Sequence, residues 1–91
     1  IRTLKHRALK GLYERGDRSR VSSEYLNRIE DILARLDAAV VPSDLDLPGY
    51  GLYPLKGKLK SYRALKVSGN WRIIFRFRDG DAFDVNLIDY H

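Results

Sequence analysis

Ninety-one residues, 44% of them hydrophobic and ten of them aromatic, are expected to form one domain over 1–91 with a single thin core, and they exclude a disordered tail. The lack of cysteine excludes disulfides and thiolate ligands, and the two histidines, His6 and His91, stand at opposite ends, so no metal or cofactor is expected. With a formal charge of +5, no apolar run near the roughly 18 residues of a membrane span, and nothing resembling a signal peptide, the expectation is a soluble cytoplasmic protein.

Residues 1–4 are expected to make a short strand. From Lys5 to Arg15 the apolar residues Ala8, Leu9, Leu12 and Tyr13 recur at helical spacing, and Gly16 supplies a stop. Ser22 or Ser23 can cap a second helix, with Glu24 in its first turn. Its apolar stripe of Tyr25, Ile29, Ile32, Leu33 and Leu36, extended by Val40, runs until Pro42 blocks continuation. Residues 42–57 hold three prolines and three glycines, and Leu52, Tyr53 and Leu55 give this long loop enough apolar content to be ordered. Tyr62 to Val67 is read as a strand with Arg63, Leu65 and Val67 on one face. After the Ser68-Gly69-Asn70 turn, the strand 71–77 separates Trp71, Ile73, Phe75 and Phe77 from Arg72, Ile74 and Arg76. Asp79-Gly80 is a hairpin signal leading to a strand over 82–88, with Phe83, Val85 and Leu87 facing the core. The fold class is therefore α+β, two N-terminal helices packed on a small antiparallel sheet.

The charge is segregated along the chain. Seven cations fall in residues 2–20, six acids in residues 24–46, and Lys56, Lys58, Lys60, Arg63 and Lys66 then follow without an acid among them. Such polarity steers a polyanion to one face, unless the run is only a solvated surface. Lysines act as point charges towards phosphate, and Tyr53 and Tyr62, which flank the run, either stack on bases or pack at the core edge. Arg72 either binds an anion with its rigid fork or closes a salt bridge to Asp84 or another sheet acid, while Arg76 and Arg78 are read as solvated. His91 is the side chain best suited to proton transfer near neutral pH, and His6 is read as a surface histidine. No catalytic triad, P-loop or dinucleotide fingerprint is present, but RNA chemistry needs none of them, because the 2′-hydroxyl is itself a nucleophile.

Three segments in this order and spacing resemble the HigB toxins of the RelE superfamily: Leu52-Tyr53-Pro54-Leu55-Lys56-Gly57, Asn70-Trp71-Arg72-Ile73-Ile74-Phe75, and Asp89-Tyr90-His91 at the end. The resemblance covers nearly the whole chain. It implies a RelE-like fold and a type II toxin that cleaves mRNA in the ribosomal A site, neutralised by a HigA-type helix-turn-helix antitoxin. By matching position it implies that Lys56 binds the scissile phosphate, Arg72 stabilises transition-state charge, and His91 is the acid–base group, held by Asp89 and Tyr90. Asn70 would contact the codon. The family frequently carries histidine where this chain has Tyr53, which moves general-base duty towards Lys56 or His91. The rival expectation is a non-catalytic RNA-binding or regulatory module, or a degenerate toxin that binds only its antitoxin.

Overall fold

A computed structural model describes residues 1–90. Two helices, α1 (Arg7–Arg15) and α2 (Leu26–Ala38), precede the strands β1 (Tyr53–Pro54), β2 (Arg63–Lys66), β3 (Trp71–Arg78) and β4 (Asp81–Asp89). Single 3-10 turns at Pro42–Leu45 and Gly57–Leu59 organise the loop, which is ordered as its apolar content predicts.

The helices bury most of the residues that their periodicity selects, but Tyr13 of α1 is exposed, with its hydroxyl donating to Asp37. Leu9 and Leu12 of α1 and Ile29, Ile32, Leu33 and Leu36 of α2 are buried, and each such side chain contributes roughly 1.5–3 kcal/mol. Two local readings are corrected. His6 is not a simple surface histidine: it is the N-cap of α1, and its Nδ1 accepts the Leu9 N–H at 3.4 Å. Neither Ser22 nor Ser23 caps α2. The Ser22 carbonyl instead accepts the Tyr25 N–H at 3.0 Å, and the helix starts one turn later. At the far end the chain turns extended at Ala39, so Ala39 is buried while Val40, outside the helix, is 66% exposed.

The four strands form one antiparallel sheet in the order β1-β2-β3-β4. Asp79 and Gly80, at φ 54° and 78°, make the hairpin turn between β3 and β4, where both central residues need positive φ. The segment before α1 makes one parallel bridge, Leu4 to Val85, and lies along the free edge of β4. That cover replaces the expected N-terminal strand and closes an edge that would otherwise offer unpaired backbone.

Both sheet faces are apolar at their centres. On the helix side Leu65, Ile73, Phe75, Ala82 and Val85 join the helical residues in the main core. On the other side Leu55, Tyr62, Ala64 and Ile74 form a smaller cluster, flanked by Tyr53, Leu59 and Ile88. Tyr62 is therefore packed away and is no stacking platform. A bulge divides β4: Ile74 pairs with Asn86 and Arg76 with Phe83, so Asp84 and Val85 together oppose Phe75. Asp84 sits at φ 55° within it. The extra residue flips the alternation, and Phe83 lands on the helix-free face beside Arg76 instead of in the core.

Candidate active site

The helix-free face gathers residues far apart in the chain. Tyr53 pairs with Ala64, Ala64 with Ile74 and Lys66 with Arg72, which puts Tyr53, Lys66 and Arg72 on the same side of the sheet. The Arg72 Nε donates to the Tyr53 hydroxyl at 3.3 Å, and its Nη1 donates to the carbonyls of Ser68 at 2.6 Å and Trp71 at 3.0 Å. These bonds fix the guanidinium without using Nη2. Asp84 is not its partner. That carboxylate pairs with Arg76 at 3.0 Å, so Arg76 is anchored and not simply solvated.

Lys66 and Arg72 are direct cross-strand neighbours. Like charges so placed repel. They concentrate positive potential on an open surface, which suits an anion.

The C-terminal end of β4 closes the other side. Asn70 Nδ2 donates to Asp89 Oδ1 at 3.1 Å, and the Tyr90 N–H donates to the Asn70 carbonyl at 2.7 Å. The Tyr90 ring then meets Tyr53 edge to face, with centroids 6.4 Å apart. Asn70, Asp89, Tyr90, Arg72 and Tyr53 thus form one connected group. His91, the residue predicted for proton transfer, lies outside the described residues.

Lys56 stands three residues beyond Tyr53, within roughly 10 Å of chain. Leu55, between them, is buried in the small cluster, and its N–H donates to the Tyr62 carbonyl at 3.0 Å. The backbone then turns through Gly57 at φ 65°, a value that favours glycine. Lys56, Lys58 and Lys60 are all exposed on that 3-10 turn. Arg63 does not join them: it pairs with Phe75, on the helix side of the sheet and opposite Arg72.

One residue that holds this arrangement together was not singled out from the sequence. Arg28 reaches from α2 to donate Nε to the Lys66 carbonyl at 2.9 Å and Nη2 to the Gly49 carbonyl at 2.6 Å. Its guanidinium lies 4.0 Å from the Tyr50 ring centre, and the Tyr50 carbonyl accepts the Lys66 N–H at 2.7 Å. Arg35 adds a hydrogen bond to the Tyr50 hydroxyl at 3.2 Å. The loop leading into β1 is therefore clamped to α2 and β2. The available signal was the spacing of Arg28 and Arg35, two helical turns apart on an otherwise acidic helix.

Concavities of about 390, 220 and 230 Å³ lie elsewhere, and none takes in Tyr53, Lys56 or Arg72. Among the described residues no group of three or more His, Asp or Glu is placed to hold a metal. No helix among the described residues is long and apolar enough to cross a membrane.

Comparison with known proteins adds to this geometry. The family model for the RelE-like HigB toxin of type II toxin–antitoxin systems matches residues 2–91. Endoribonuclease HigB of Proteus vulgaris is 42% identical over 91 residues, which cover 100% of this chain and 99% of that protein. Toxin HigB-1 of Vibrio cholerae serotype O1 is 35% identical over 85 residues, covering 91% and 90% of the two chains. Among solved structures, YafQ from E. coli aligns with a TM-score of 0.61 at 19% identity, over 98% of this chain and 93% of that one. A YafQ mutant aligns with a TM-score of 0.60 at 20% identity over the same shares. At such identity the structural likeness speaks for the fold, which is that of RelE-like toxins.

Proposed function

The chain belongs to the HigB-like toxin family of type II toxin–antitoxin systems, and from that premise we propose that it is an endoribonuclease that cuts mRNA on the ribosome and so inhibits translation. The observation that carries this reading is the convergence of Tyr53, Lys66 and Arg72 on one open sheet face, with Tyr90 packed against Tyr53. An open cationic face suits an extended polyanion better than a small molecule, which favours enclosure.

The proposed reaction uses the substrate's own nucleophile. The ribose 2′-oxygen attacks the adjacent phosphorus in line, the bond from phosphorus to the 5′-oxygen breaks, and a 2′,3′-cyclic phosphate and a 5′-hydroxyl result. Arg72, prefixed by Tyr53 and the Ser68 carbonyl, offers its remaining N–H edge to the equatorial oxygens, where charge builds in the transition state. Lys56 binds the same phosphate as a point charge. His91, next in the chain after Asp89 and Tyr90, gives the proton that the leaving oxygen needs, and the proton of the 2′-hydroxyl passes through the Tyr53 hydroxyl to solvent while Lys56 stays charged. Asn70, steadied by Asp89, faces the codon. Lys58 and Lys60 hold backbone phosphates or the ribosome. Arg63, on the opposite face, is assigned to the ribosome alone. No step in this scheme requires a metal.

Membership in the family implies an antitoxin partner. A HigA-type helix-turn-helix protein is the proposed one, and the cytoplasm, where messages are translated, is the proposed site of action.

The decisive test is a primer-extension map in a translating extract. Cleavage within translated codons by the wild-type chain, abolished separately in folded Arg72→Ala and His91→Ala variants, is the expected result. Intact transcripts with folded wild-type protein would refute the nuclease reading. The cationic run and the lack of a recognisable catalytic triad are what favour the rival of an RNA-binding module, which predicts salt-sensitive binding without cleavage, while Tyr53, where the family frequently has histidine, favours a degenerate toxin that binds only its antitoxin.

A further inference from the structure

The arginines of β3 do not end at the site. Alternation along the strand places Arg72, Ile74, Arg76 and Arg78 on the helix-free face. The Arg76 and Arg78 guanidiniums stand 4.9 and 4.8 Å from the ring centre of Phe83, the residue that the bulge turned onto this face. Arg76 is fixed by Asp84 and also lies 6.0 Å from the Tyr62 ring. Lys5 comes from outside the sheet to donate Nζ to the Tyr62 hydroxyl at 3.0 Å, over the same ring at 5.7 Å.

Three cations therefore rest on two aromatic rings. A guanidinium stacked on a ring keeps its N–H edge free for an anion while its side chain is restrained. Restraint before binding lowers the ordering cost at binding. The neighbouring acids are largely occupied: Asp84 by Arg76 and Asp81 by Arg2 at 3.2 Å, while Asp79 sits in the hairpin turn. Among the described residues Arg78 forms no ion pair. A rise of about 3.3 Å per residue puts Arg76 and Arg78 roughly 13 and 20 Å from Arg72, a span that an extended RNA strand covers in a few nucleotides.

We propose that Arg78, Arg76 and Lys5, seated on Phe83 and Tyr62, form a second phosphate-binding subsite for the single-stranded message that crosses Arg72. Charge complementarity and continuity with the Arg72 row identify the occupant. The subsite rests on the endoribonuclease reading, but its test does not require cleavage.

The probe is fluorescent 2′-O-methyl RNA, which lacks the nucleophile, as a trinucleotide and as a decanucleotide, titrated by anisotropy at several salt concentrations. Wild-type protein should bind the decanucleotide more tightly. Arg78→Ala, a change at an exposed side chain, should weaken decanucleotide binding about 5- to 10-fold and lower its salt slope by about one, with the trinucleotide unaffected. Phe83→Leu, which removes the ring but keeps the strand, should reproduce part of the loss. Unchanged decanucleotide affinity in Arg78→Ala, or an equal loss for both lengths, would overturn the subsite. Failure of the nuclease reading would show separately, as intact message with the wild-type chain.

Discussion

Arg28→Ala is expected to be the most informative single change outside the proposed chemistry. The substitution removes two hydrogen bonds from a charged donor, at 2.9 and 2.6 Å, and a guanidinium stacked 4.0 Å from Tyr50. Hydrogen bonds to charged groups contribute about 1.5–3 kcal/mol each, and an exposed cation–π contact about 0.5–1 kcal/mol. Both acceptors, the carbonyls of Gly49 and Lys66, belong to exposed residues and can turn to water once the arginine is gone. Water therefore offsets part of the low-end sum of about 3.5 kcal/mol, and the expected loss is about 2–3 kcal/mol. For a chain of this size that corresponds to a fall in Tm of roughly 8–24 °C. Arg28→Lys keeps the charge but cannot reach both carbonyls with one amine, so it should recover less than half of the loss. Thermal and urea unfolding measure the stability, with an unchanged m-value showing that the unfolded state is the same. Amide exchange should accelerate more at Lys66, whose N–H is held by the Tyr50 carbonyl, than at Ile73 in the central strand. A melting point within about 2 °C of wild type for Arg28→Ala, or full recovery in Arg28→Lys, would refute the clamp.

Three further outcomes follow from local geometry. Burial lowers the pKa of His6 below its ordinary value, and its Nδ1 must stay unprotonated to cap α1. A depressed histidine stabilises the fold above its unfolded pKa of roughly 6.5 and loses that contribution as pH falls, so His6→Asn, which keeps a cap acceptor, should flatten the acid-side decline in Tm. The Tyr13 hydroxyl donates to Asp37 Oδ1 at 2.6 Å, and that hydrogen bond pushes the phenol up to about 12 and holds the carboxyl below its usual range. A phenolate absorbance titration should lose a component at about 12 in Tyr13→Phe. The same pair should lose its contribution at both extremes: as pH rises from the ordinary tyrosine range through about 12, and as pH falls below the ordinary aspartate range through the depressed value. Gly57→Ala meets nothing within 4 Å, so its cost is the left-handed backbone alone. About 1–2 kcal/mol is expected in urea unfolding, and a larger loss would mean that the turn carries a contact not accounted for.

The sequence was most informative where structure is periodic and local. The stripe Ile29, Ile32, Leu33 and Leu36 marked the buried face of α2, and the alternation of β3 separated Ile73 and Phe75 from Arg72 and Arg76. Asp79-Gly80 marked its hairpin because few residues accept positive φ at both central positions. The candidate site was legible in part: Tyr53, Arg72 and Tyr90, named on sequence segments, come together on the helix-free face, and Asn70 and Asp89 are tied to them by hydrogen bonds at the strand ends.

What the chain pattern could not carry is whatever depends on pairing between distant segments. Arg63 was grouped with Lys56 by proximity in sequence, yet one step along a strand changes the face, and it stands opposite Arg72. Phe83 obeys the alternation of its own strand only until Asp84 adds a residue to the register, and a bulge is defined by two strands, not one. The Arg28 clamp joins a helix to a loop some twenty residues away, and no local propensity records such a bond. Composition, charge segregation and hydrophobic period are properties of neighbours in the chain, and they determined the elements and the cationic run. Which charges share a surface, and which are neutralised across the sheet, was decided only when register and long-range hydrogen bonds brought the strands together.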